Sequence, residues 1–125
     1  MTVNGLENGK YDLEGRTLSF AVQVREFIRK IVKNILNQDD IKQLLRSSGS
    51  VGANYIEANE AISNKDFLLR IKICRKEAKE SRFWLRILRL DNSLNLEQTR
   101  QELIQEAFEL TKIFGKIIQN KSSKE

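Results

Sequence analysis

The sequence predicts an all-α fold, an antiparallel up-down-up-down four-helix bundle. Three observations carry that expectation. The 125 residues contain no proline and only six glycines, and a chain so poor in helix breakers favours long uninterrupted helices. Apolar residues recur three and four apart in four segments, the mark of helices with one buried face. The breaks between those segments are short and polar, which makes sequence neighbours antiparallel. No segment alternates apolar and polar residues for long, so strands are not expected. The length fits a single domain. Residues 1–10 read as a loosely held tail, 11–120 as the bundle and 121–125 as a frayed end.

The first helix is expected over about 14–36, with Val24, Phe27, Ile28, Ile31, Val32 and Ile35 on one broad face. Asn37-Gln38-Asp39-Asp40 breaks it, and Asp39 or Asp40 would cap the second helix. The stripe of that second helix, Ile41, Leu44, Leu45, Ser48, Gly52, Tyr55 and Ile62, carries it to about Ile62. Ser63-Asn64 breaks the pattern again, with Asn64 as the expected cap. The third helix is expected over Lys65–Leu90, the turn at Asp91-Asn92-Ser93, and the fourth helix over about Leu96–Gln119.

The third helix is the most informative. Phe67, Ile71, Cys74, Ala78, Ser81, Leu85 and Leu88 form an unbroken heptad seam. A second apolar strip, Leu69, Ile73, Trp84 and Ile87, lies well away from it at about 100° per residue. Either another subunit covers that strip, or the first or fourth helix does. A basic stripe occupies the remaining face: Lys65, Lys72, Arg75, Lys79, Arg82 and Arg86 fall within about 100° of one another. Residues 65–90 hold nine cations against three carboxylates, a charge of +6, while the rest of the chain has thirteen against fourteen, or −1. The net charge of +5 therefore sits on one helix. A concentrated stripe fits a phosphate backbone better than net charge alone does, although a solvated basic face is the commoner fate of such a pattern.

Several function classes fall away. The first residues show no signal peptide, no stretch approaches a membrane span, and a lone Cys74 suits a reducing cytoplasm. The carboxylates Glu57, Glu77 and Glu80 evoke a di-metal bundle site, but such sites draw histidine from two helices and the chain has no histidine. The same lack leaves Cys74 and the serines without an activating base, and no glycine-rich phosphate loop is present. No cofactor and no catalysis are expected. A hydrolase or metal enzyme is the weakest reading.

One stretch resists a plain helical reading. Residues 48–61, SGSVGANYIEANEA, place two glycines and several small residues inside the second helix, where each glycine costs about 1 kcal/mol. Gly49, Ser50, Gly52 and Ala53 would let another helix approach closely. Asn54, Glu57, Glu77 and Glu80 are then expected as a buried polar network with arginines such as Arg46, Arg75 or Arg82, bonding across that contact and fixing helix register.

The motifs SVGANYIEANEA and CRKEAKESRFWL, with the opening YDLEGRTLSFAVQVREFIRKI and the closing EAFELTKIFGKII, closely resemble the four helix bundle protein family, also called 23S rRNA intervening-sequence proteins. The resemblance spans about Tyr11 to Ile118, and the NQDD loop is shorter than in relatives that carry prolines there. It implies a cytoplasmic bacterial protein that assembles as a homopentamer. A related branch, the accessory variability protein of diversity-generating retroelements, binds nucleic acid and a reverse transcriptase. The resemblance supplies no catalytic role for Asn54, Glu57, Glu77 or Glu80.

Two functions are therefore expected to compete. One is a non-enzymatic accessory protein that binds RNA or DNA without sequence preference through Lys72, Arg75, Lys79, Arg82 and Arg86. The other is a structural or adaptor oligomer whose partner is a protein. Phe83 is the one aromatic candidate near the stripe, so base stacking is not expected.

Overall fold

Hydrophobic periodicity and side-chain caps resolve the chain into four helices in a computed structural model that describes residues 12–91 and 94–122. The helices are α1 (Leu13–Arg29), α2 (Gln38–Asn59), α3 (Asn64–Ile87) and α4 (Leu94–Ser122), with no strand among the described residues. α2 packs against α1 and α3, and α4 against α3 and α1. Each helix thus touches only its two neighbours in a closed ring, the arrangement of an up-down-up-down bundle. The expected tail at 1–10, Asn92 and Ser93 of the expected Asp91-Asn92-Ser93 turn, and the last three residues lie outside the described residues.

The caps explain where the elements begin. The Asp12 carboxylate accepts from Gly15 N at 3.2 Å and starts α1. Ser63 Oγ accepts from Asp66 N at 3.0 Å and starts α3, so the cap is one residue before the expected Asn64. α2 starts after Asn37 rather than after Asp39 or Asp40. Asn37 is fully buried, and its side chain serves the preceding loop: Nδ2 donates to Val32 O at 3.0 Å and Oδ1 accepts from Asn34 N at 2.9 Å.

This loop ends α1 at Arg29, well short of the expected position near residue 36. Val32 and Ile35, which continue the apolar spacing, are therefore not core. Ile35 is 88% exposed. Local side-chain-to-backbone bonds at Asn34 and Asn37 outcompete helix propagation there. α2 likewise ends at Asn59, and Ile62 is exposed. Lys121 and Ser122, expected to fray, continue α4, and Lys121 Nζ lies 5.1 Å from the Phe67 ring centre.

The α3 seam faces inward as its spacing dictates. Ile71, Cys74, Ala78, Ser81, Leu85 and Leu88 are buried, and Phe67 packs at the edge of the core. Phe20, Val24 and Phe27 of α1, Leu44 and Val51 of α2, and Leu110 and Phe114 of α4 complete it. Two ties fix the helix ends. Arg100 of α4 donates to the carbonyls of Leu85 (3.2 Å) and Leu88, satisfying groups that the end of α3 leaves open. Arg16 of α1 grips Glu106 of α4 in a two-pronged pair at 2.7 and 2.8 Å.

Gly49 and Gly52 of α2 face α1, whereas Ala53, expected at the same contact, is exposed. A Cβ built on Gly52 would lie 3.0 Å from Thr17 Oγ1, and one built on Gly49 would lie 3.1 Å from Arg25 Nη2. An added methyl at residue 52 would press on the buried Thr17 side chain, whereas the α1 backbone, 3.7 Å away, stays at ordinary contact distance.

Candidate nucleic-acid interface

The basic stripe runs along the edge of α3 that adjoins α4. Lys65, Lys72, Arg75, Lys79 and Arg86 are exposed, and among the described residues none of them forms an ion pair. The absence of internal carboxylate partners leaves their charge to solvent and counterions. The Arg75 stem passes over Gly115 of α4, where an added Cβ would sit 3.9 Å from Arg75 Cδ.

Arg82 differs from its neighbours. It is half-buried, its guanidinium carbon lies 5.1 Å from the Phe108 ring centre, and its Nε is buried without an acceptor. Lys112 approaches the same ring at 4.9 Å. Phe108 is 38% exposed, so α4 adds a second accessible aromatic beside the stripe that the α3 sequence alone could not place there. Lys79, Arg82, Phe83, Arg86, Phe108 and Thr111 line a cleft of about 190 Å³ between the two helices.

The polar residues expected to act together divide into two groups plus one outlier. Arg46 of α2 reaches Glu77 at 3.3 and 3.4 Å and also bonds Glu80, which accepts from Trp84 Nε1 at 3.2 Å. Glu77 is buried, whereas Arg46 is 48% exposed, so this pair is anchored in the core at one end and solvated at the other. Beside it, Ser81 and Ser47 bring their hydroxyls to 3.0 Å across a tight α2–α3 contact. Asn54 bonds separately: its Oδ1 accepts from Arg70 Nη1 at 3.1 Å and its Nδ2 donates to Ser50 O at 2.9 Å. Arg70 was not among the expected partners, and Arg75 and Arg82 make no such bonds. Glu57 is exposed and joins neither group. Its expected burial is corrected because helical phase turns it outward, away from both neighbours of α2. The close glycine contact also faces α1, while Asn54 bonds to α3, so the two features serve different interfaces.

The second apolar strip of α3 is covered only in part by the other helices, Trp84 packing against the edge of the core. Leu69 and Ile87 are exposed, and Ile73 and Trp84 are half-buried. α3 touches only α2 and α4, so the first helix does not cover this face. Phe83 packs edge-on to Trp84 with ring centres 5.0 Å apart, extending the apolar surface to the border of the basic stripe.

Cys74 is fully buried, and loss of hydration pushes its thiol up to about 12. Among the described residues no group of three or more potential ligands could hold a metal ion, and no helix is long and apolar enough to cross a membrane.

Comparison with known proteins places the chain. No curated protein matches it. Its structure is similar to a crystal structure from Bacteroides thetaiotaomicron, described as a protein with unknown function from the S23 ribosomal protein family. The two chains share 31% identity with a TM-score of 0.74, over 85% of this chain and 97% of the other. The family profile described as 23S rRNA-intervening sequence protein matches residues 12–116. That match takes in α1, α2, α3 and most of α4, so the chain belongs to the 23S rRNA-intervening sequence protein family.

Proposed function

We propose that this protein is a non-enzymatic cytoplasmic homo-oligomer that binds RNA or DNA phosphates, without sequence preference, through α3. The observation that carries the reading is the line of Lys72, Arg75, Lys79 and Arg86, exposed on one face with no ion pair among the described residues. Cations already spent on carboxylates have little left for a ligand. These are unspent. Phosphates that meet them release condensed counterions, and that release drives association.

The partly covered apolar strip supports the oligomeric half of the reading. Leu69, Ile73, Trp84 and Ile87 stay partly or largely exposed in the protomer, and an exposed apolar surface of this kind favours a contact between copies. The number five rests on the family resemblance. In a ring, the basic stripe repeats around the axis, so modest contacts per subunit add through multivalency. A reverse transcriptase is the protein partner suggested by the related retroelement branch. No catalysis is assigned, since the chain lacks histidine and the buried Cys74 thiol holds its proton at neutral pH.

The test is a fluorescence-anisotropy titration of labelled oligonucleotides at low and moderate salt. The wild type is compared with a folded variant carrying Lys72→Gln, Arg75→Gln, Lys79→Gln and Arg86→Gln. Binding should fall steeply with salt, and each lost cation should flatten the slope by about one. Absence of binding at low salt, or indifference to the substitutions, would leave a structural adaptor for a protein partner as the function. Light scattering that shows a monomer would overturn the oligomer.

A further inference from the structure

We infer that the α3–α4 cleft is a subsite for an unpaired nucleotide, so that the protein prefers single strands to duplexes. This rests on the nucleic-acid reading above and narrows its ligand. The starting observation is Arg82. An arginine beside open solvent usually gives its donors to water or to protein oxygens. Here the guanidinium lies on the Phe108 ring at 5.1 Å, and its buried Nε meets no acceptor in the described residues. A buried donor without a partner is costly. The cation–ring contact holds the head in place while leaving its hydrogen-bonding capacity uncommitted.

The surroundings of Arg82 supply the rest of a recognition surface. Lys79 and Arg86 flank it, one helical turn to either side on α3, both exposed and unpaired among the described residues. Lys112 lies 4.9 Å from Phe108 and shares its charge with Glu109 at 3.8 Å, the carboxylate of an ion pair at this edge. Phe83 is 54% exposed and is engaged by Trp84 through an edge contact, which leaves ring surface open. The cleft therefore combines uncommitted cations with one open ring, Phe83, and with the Phe108 ring, over which Arg82 and Lys112 lie and which backs the Arg82 guanidinium.

Cations alone would serve duplex and single strand alike. Exposed rings discriminate, because a base can stack on a side chain only after leaving its own pair. Thr111, the one neutral polar residue in the cleft, spends its hydroxyl on Ala107 O at 2.8 Å. No amide lines the cleft to read base edges. The site is thus suited to backbone and base faces, with no sequence preference.

The experiment uses the full chain and labelled 12-mers of oligouridine, oligodeoxythymidine and a mixed-sequence DNA duplex, titrated by anisotropy at low salt. Phe83→Ala removes an exposed ring, and Phe108→Leu removes the second while keeping a packing side chain; thermal melts check that both fold. Both single strands should bind more tightly than the duplex, since rings and cations ignore the 2′-hydroxyl. Phe83→Ala should weaken single-strand binding about tenfold. Phe108→Leu, which releases the Arg82 head from its ring, should weaken it by a smaller factor, and both should leave duplex binding unchanged. Equal affinity for duplex and single strand, or single-strand binding indifferent to both substitutions, would overturn this inference while preserving the phosphate-binding stripe. No binding to any of the three would overturn both.

Discussion

Gly52→Ala tests how α1 and α2 come together, because two terms of similar size oppose each other there. In a helix interior alanine is better than glycine by about 1 kcal/mol. In this structure the new methyl would meet Thr17, at 3.0 Å from Oγ1 and 3.3 Å from Cβ. Thr17 cannot easily yield: it is fully buried and its hydroxyl donates to Glu14 O at 3.0 Å. Overpacking of that kind costs about 1–3 kcal/mol, so after the propensity gain the substitution should be net destabilising by about 1 kcal/mol. Gly49→Ala provides the contrast. Its methyl would meet the far end of Arg25 at 3.1 Å. That guanidinium donates to Ala21 O at 3.1 Å and, at 3.4 Å, to Ser48 Oγ and Leu45 O, long bonds that a small shift weakens. The propensity gain should therefore be largely offset, and the variant should stay close to the wild type. Urea unfolding reads both, and each 1 kcal/mol should move Tm by about 4 °C for a chain of this length. A double-mutant cycle with Thr17→Ala closes the reasoning: with Oγ1 gone and only the residue-17 Cβ left at 3.3 Å, Gly52→Ala should lose most of its cost. If Gly52→Ala alone is as stable as the wild type, or the cycle shows no coupling, the close approach is not what demands glycine.

Other substitutions probe other links. Glu77→Gln removes the buried charge that faces Arg46; because Arg46 is half-exposed and keeps Glu80, the loss in urea unfolding should be about 1–2 kcal/mol rather than the 3–5 of a fully buried pair. Ser63→Ala deletes the α3 cap and should cost about 1 kcal/mol in the same assay. Cys74 should resist thiol reagents at pH 8 until the protein unfolds. Its folded thiol is pushed from 9.0 to about 12 by burial, so the folded state favours the protonated form. The stability this contributes is intact below pH 9 and declines as pH rises from 9 towards 12, a decline that Cys74→Ala should lessen. Leu69→Glu with Ile87→Glu should shift light scattering towards the monomer without lowering helix content.

How much was legible in the sequence depends on the range of the interaction. The sequence by itself determined four helices, their order and the inward seam of α3, because the absence of proline and a three-four apolar spacing act within one helix. It also determined where charge concentrates. The periodic signal failed at Val32, Ile35 and Ile62, where spacing continued past the point at which the chain left the helix. At the end of α1, Asn34 and Asn37 made that decision through side-chain bonds to backbone groups. Only the tertiary structure decided which neighbour each face would meet. Helical phase fixes a residue's angle around its own axis but not the helix that stands opposite. Hence Gly52 turned out to face Thr17 on α1 while Asn54, two residues on, bonds Arg70 on α3. Glu57 points to water instead of into that network. The same limit hid the cleft: Arg82 and Phe108 are 26 positions apart, and it is the packing of α4 on α3 that lays a guanidinium against that ring.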